Sequence, residues 1–256
     1  MKLVCAGITD VGKAREHNED DFYLSDGNEA LCVVADGMGG HRSGEVASAM
    51  AIKAMVEYYR ETMSKEDLEE AAQEGEDFAE LIQRRLRQAV QKANEAVFTA
   101  ASESEVYRGM GTTIVSGYFT DREVFLANIG DSRAYRLRDG DLEQRTEDHS
   151  LANEYMRMGI LAAEDMEYFP YKNVITRACG LAANVEVDVH REELQPGDLF
   201  LFCTDGLTDM VADDRLRELL LEEDDDLETL CETLVDTANE QGGDDNITVI
   251  LARVDD

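Results

Sequence analysis

The chain has 256 residues and carries 57 acidic against 24 basic side chains, a formal net charge of −33 at pH 7. So negative a chain repels phosphate backbones and anionic lipid at a distance, which argues against nucleic acid and membrane insertion. The length suits one large domain; only two prolines occur, Pro170 and Pro196, and no Ser-, Pro- or Gly-rich stretch forms a linker, so residues 1–256 are expected to fold as a single unit.

The segment Met1–Gly7 turns polar too soon for a secretion signal, and no apolar run reaches membrane-spanning length. Residues 2 to 38 read as strands with turns at Gly12 and Gly27. From Gly44 onward Val46, Ala47, Met50, Ala51, Ala54, Met55 and Tyr58 recur at helical spacing, and Phe78, Leu81, Ile82, Leu86, Ala89, Val90, Ala93 and Val97 repeat it, which predicts two long amphipathic helices. Strands follow at Thr112–Phe119, Glu123–Ile129 and Ala134–Leu137. Asp139-Gly140 is a type I′ hairpin signal, with a return strand near Leu142–Arg145. Residues 150–171 alternate short helical patches with polar turns and read as an excursion from the sheet. Strands at Val185–Val189 and Leu199–Cys203, a helix carrying Leu227, Leu230, Cys231, Leu234, Val235 and Ala238, and a last strand at Ile247–Val254 complete the chain. Strands in runs and helices in pairs predict an α+β fold, with helices on the outer faces of two packed antiparallel sheets.

The five cysteines are odd in number and form no C-x-x-C pair, so they read as free thiols packed as small hydrophobes in a reducing cytoplasm. The acidic runs Ser64–Glu70 and Glu222–Asp226 lack the spacing and central glycine of a calcium loop and read as solvated surface.

Three apolar stretches each end on an aspartate beside a glycine: Leu31–Asp36 before Gly37, Val124–Gly130 before Asp131, and Leu199–Thr204 before Asp205-Gly206. A fourth acidic knot, Asp244-Asp245-Asn246, precedes the final strand. Singly, such an aspartate more often caps a turn. Several converging at strand ends without matching Lys or Arg repel one another, and a hard divalent cation with oxygen ligands resolves the repulsion. Magnesium or manganese fits.

Taken together, Arg15–Asp20, Asp36–His41, Gly109–Thr113, Gly130–Arg133, Thr204–Asp209 and Gly243–Val249 resemble the bacterial metal-dependent serine/threonine phosphatases of the protein phosphatase 2C type, in that family's order from about Gly7 to Val254. The resemblance implies a four-layer α-β-β-α sandwich with a two-metal centre at one end of the sheets. Asp36 would bridge both cations, the Gly37 carbonyl would bind one, and Asp205 with Asp245 would hold the other. Glu19 and Asp20 would act through metal-bound water, and Asp131 would hold a third, weaker cation. Arg15 would bind the phosphoryl group, a role suited to a planar bidentate donor, although an ion pair with Glu16 or Glu19 would serve as well. The implied reaction is hydrolysis of phosphoserine and phosphothreonine in proteins by a water or hydroxide activated between two cations, without a covalent intermediate. Its implied setting is a monomer opposing a serine/threonine kinase. Many eukaryotic relatives carry histidine where this chain has Met38, which leaves the general acid open between His41 and water. Residues 150–171 match the variable flap beside the active site, and Gly109–Thr113 carries no expected chemistry.

Overall fold

The computed structural model describes residues 2–25, 30–39, 43–63, 68, 77–222 and 226–255. The expected turn at Gly27, His41 and most of the two acidic runs therefore lie outside the described residues.

One sheet holds five strands, β1 (Lys2–Asp10), β7 (Arg133–Arg138), β8 (Asp141–Gln144), β10 (Leu199–Cys203) and β11 (Ile247–Asp255), in the order β1-β11-β10-β7-β8. The other runs β2-β3-β5-β6-β9, from β2 (Asp20–Leu24), β3 (Leu31–Met38), β5 (Ile114–Phe119), β6 (Glu123–Ile129) and β9 (Asp188–Glu193), with the short β4 (Gly111–Thr112) paired to β3. All pairings are antiparallel.

Side-chain alternation sorts each strand between two cores. In β3, Leu31, Val33 and Ala35 face α1 (Ser43–Thr62) and α2 (Phe78–Glu103), while Cys32 and Val34 face the opposite sheet. In β10, Phe200 and Phe202 enter the space between the sheets, and Leu199, Leu201 and Cys203 meet α5 (Asp213–Leu220) and α6 (Leu227–Gln241). Strands buried on both faces need continuous apolar sequence, which is why these runs carry almost no polar residue. The result is the α-β-β-α sandwich.

Asp139 and Gly140 both take positive φ, 52° and 83°, as a type I′ turn between β7 and β8 requires. The expected strand at Val185–Val189 is displaced: the ladder starts at Asp188, paired with Asn128, and continues to Glu193. Val185 and Val187 pack on the core as irregular backbone, so their burial mimicked a strand. Two short helices not foreseen, α4 (Asp205–Thr208) and α5, follow β10, with α3 (Leu151–Arg157) between β8 and β9. The excursion contains α3 and a 3₁₀ turn at Ala163–Tyr168. It is drawn together at its neck by Leu151 N–H to Val174 O (2.8 Å) and Thr176 N–H to His149 O (2.8 Å), a few residues beyond the expected limits.

Candidate metal centre

The sheets deliver their acids to one end of the sandwich. Asp20 and Asp36 are direct partners in the β2–β3 ladder, so both side chains leave the same face, the one turned toward the other sheet. Asp131 follows β6, Asp205 follows β10 and Asp245 precedes β11. The cluster therefore gathers Asp20, Asp36, Asp131, Asp205 and Asp245, with Glu19 at its edge.

Burial is the main cause of the resulting strain. It pushes Asp36 well above the usual carboxylate range, helped by the charges of Asp20, Asp205, Asp131 and Asp245. Burial, with repulsion from Asp205 and Asp245, raises Asp20 to about 7; burial with Asp205 and Asp148 raises Asp131 to about 8; and burial with Asp209 and Asp245 raises Asp205 to about 6. Asp36 and Asp205 also lie within hydrogen-bonding reach of each other, so a proton shared between them relieves part of the repulsion. Glu19 is raised by burial, partly opposed by the Gly44 N–H.

Asp20 is buried and not solvated strand-edge charge. Its Oδ2 accepts hydrogen bonds from Thr204 Oγ1 (2.9 Å) and Thr248 Oγ1 (2.7 Å), both from the opposite sheet. Arg15 is paired, but with Asp245 and not with Glu16 or Glu19: Nη2 lies 2.6 Å from Asp245 Oδ2, and both side chains are partly open to solvent. Asp245 also accepts the Asn246 N–H at Oδ1 (2.8 Å), a turn-capping role. His17 lies exposed beside this loop.

The glycines of the two Asp-Gly pairs do not serve left-handed turns. A Cβ on Gly37 would lie 2.1 Å from Gly44 O, and one on Gly206 would lie 1.9 Å from Asn246 O. Each admits a close backbone approach behind its aspartate. Gly130, at φ 107°, is the one that turns.

Two groups of positioning residues escaped the sequence reading. Asn246 donates to Val11 O (2.9 Å) and His17 O (3.0 Å) and accepts the Glu19 N–H (2.7 Å), stitching the Arg15 loop to the start of β11. Thr113 Oγ1 accepts the Asp36 N–H (2.9 Å) and pairs with Ser132 Oγ (2.7 Å), while Thr112 Oγ1 donates to Asp36 O (2.8 Å). Gly109–Thr113 thus fixes the backbone of Asp36 and links it to the Asp131 turn. The only available signal was polarity inside otherwise apolar strand surroundings.

Among the described residues no three acidic, His or Cys side chains are already spaced around an ion. The donor set nevertheless fits one. Asp131 Oδ1 and Glu19 Oε1 are buried without a hydrogen-bond partner, and the raised acids are hard oxygen donors in excess of nearby cations. Arg133 is committed to Asp148 (Nη2 to Oδ2, 2.7 Å). A cleft bordered by Asp131, Asp205, Asp209, Lys172 and Asn173 opens between the acids and the excursion, where Asn173 Nδ2 donates to Asp209 Oδ2 at 3.2 Å. A roomier cleft of about 550 Å³ beside Tyr58, Lys92 and Asn184 shares no residue with the cluster.

The protein phosphatase 2C family profile matches residues 12–252. The chain belongs to that family. It is 39% identical over 249 residues to Serine/threonine phosphatase stp of Listeria monocytogenes, covering 96% of this chain and 94% of the relative. Among solved structures it resembles the serine/threonine phosphatase of S. agalactiae (TM-score 0.89, 32% identity, 99% of this chain and 100% of that one). It likewise resembles the catalytic domain of the serine threonine protein phosphatase PstP in complex with two manganese ions (TM-score 0.83, 33% identity, 99% of each chain).

Proposed function

We propose that this chain is a single-domain, metal-dependent protein serine/threonine phosphatase in which Asp36, the Gly37 carbonyl, Asp205 and Asp245 hold two divalent cations, Mn²⁺ or Mg²⁺. The observation that carries the reading is the buried acid cluster, whose raised pKa values mark negative charge that the protein itself leaves unbalanced. Bound cations supply a water of lowered pKa and offset the charge that gathers on the phosphoryl oxygens.

Thr112 and Thr113 hold the Asp36 backbone so that its carboxylate stays aimed into the cluster. Arg15, at the rim, offers planar donors to the phosphoryl oxygens and orients the group for in-line attack. Asp20, anchored by two hydroxyls, and Glu19 orient waters around the cations. The substrates are phosphorylated proteins, among them a serine/threonine kinase that the enzyme opposes. The five free thiols fit a reducing cytoplasm, where the chain would act as a monomer.

Hydrolysis of p-nitrophenyl phosphate and of a phosphothreonine peptide should require Mn²⁺ or Mg²⁺ and cease in excess chelator. A chelator-resistant rate on both substrates would sink the reading.

Asp131 takes a third, weaker cation together with Asp205. Asp131→Ala should depress hydrolysis of phosphopeptides while calorimetry still counts two tight cations. If Asp131 only caps its turn, the variant instead keeps normal turnover and loses melting temperature.

A further inference from the structure

We propose that His149 is a positioning residue that ties Asp131 to the neck of the excursion between β8 and β9. The inference rests on the reading of Asp131 as the ligand of a weak cation.

His149 grips both polar backbone groups of the residue before Asp131. Its N–H donates to Gly130 O (2.9 Å), and its ring Nδ1 accepts the Gly130 N–H (3.0 Å). An accepting Nδ1 places the ring proton on Nε2, which donates to Asp188 Oδ2 on β9 (3.1 Å). Arg177 Nη1, 3.0 Å from Nε2, therefore meets a donor there and is satisfied by Asp188 Oδ1 (3.1 Å). Burial lowers the His149 pKa, which favours the neutral ring that this arrangement needs.

The same residue closes the neck, since its carbonyl accepts the Thr176 N–H (2.8 Å). Asp131 Oδ1 has no hydrogen-bond partner, so the aim of its carboxylate depends on the backbone that His149 holds. No side chain can replace Gly130 to hold this turn by other contacts, because a Cβ there would lie 2.6 Å from the Thr113 side chain. A displaced neck is thus transmitted through one imidazole to the weak cation site.

The test compares His149→Ala, which loses both ring bonds, with His149→Asn, whose amide oxygen can still accept the Gly130 N–H but cannot reach Asp188. In His149→Ala the Gly130 amide should exchange faster, and the Mn²⁺ concentration for half-maximal phosphopeptide hydrolysis should rise about 10-fold. The tight-cation count and p-nitrophenyl phosphate turnover should hold, and His149→Asn should recover much of the difference. Native Mn²⁺ dependence and native Gly130 exchange in a folded His149→Ala would overturn the inference. So would a uniform loss of melting temperature, tight cations and both activities shared by the Asn variant. Asp131→Asn separates the two ideas: if its Mn²⁺ dependence is native, the reading of Asp131 fails and this inference with it. If Asp131→Asn is shifted while His149→Ala is native, only the role of His149 falls.

Discussion

Asp205→Asn is expected to abolish most catalysis while steadying the metal-free chain. With Mn²⁺ saturating, turnover on a phosphothreonine peptide should fall on the order of 10²–10³-fold, because a charged oxygen at the cation centre is gone. Stability moves the other way. Burial, then the charges of Asp209 and Asp245, raises Asp205 from an ordinary 3.8 to about 6. Between those values the folded chain keeps a proton that the unfolded chain has released, so stability is lost as pH rises through that window and the full penalty stands above it. An amide escapes the penalty and can donate to Asp36. In chelator at pH 8 the variant should therefore melt at least about 2 °C above the native chain, the shift that 1 kcal/mol gives at this size. The gap should narrow toward pH 4, and Mn²⁺ should reverse the order. Unchanged turnover would remove Asp205 from the centre. A lower melting temperature in chelator at pH 8 would show that the protein already satisfies this carboxylate.

Arg15→Ala should lower kcat/KM on phosphopeptides on the order of 10²-fold, with Arg15→Lys recovering only part, since an ammonium cannot match the guanidinium fork. The ion pair to Asp245 joins side chains that are 49% and 37% exposed, so its loss costs the fold about 1 kcal/mol or less. Removing it also takes a positive charge away from a carboxylate proposed to hold a cation. Mn²⁺ affinity should accordingly hold or rise. A large loss of affinity on titration would mean that Arg15 positions Asp245 and does not clamp phosphate.

What the sequence displayed and what it hid follow from the range of the interactions. Leu199–Cys203 and Ile247–Val254 were legible because a strand buried on both faces is apolar at nearly every position, Thr248 and Arg253 being the exceptions here. Asp36, Asp131 and Asp205 stood out because each closes such a run. Val185 and Val187 misled for the same reason, since burial without ladder pairing leaves the same mark. The helix α4 was hidden because its four residues are too few to show a helical period. Asn246, Thr204 and Thr248 were invisible as positioning residues because their partners lie far away in the chain; Thr248 and Asp20 are 228 positions apart. No local pattern encodes such a bond.

The anchoring of Asp20 makes the metal centre a gauge of sheet alignment. Its ladder partner Asp36 belongs to one sheet and its two hydroxyl donors to the other. A chain with one sheet formed, or with both formed but undocked, presents scattered carboxylates and no centre. Cations held by the proposed ligands should therefore bind at the end of assembly, and their grip should retard opening of the sandwich more than it hastens its closure.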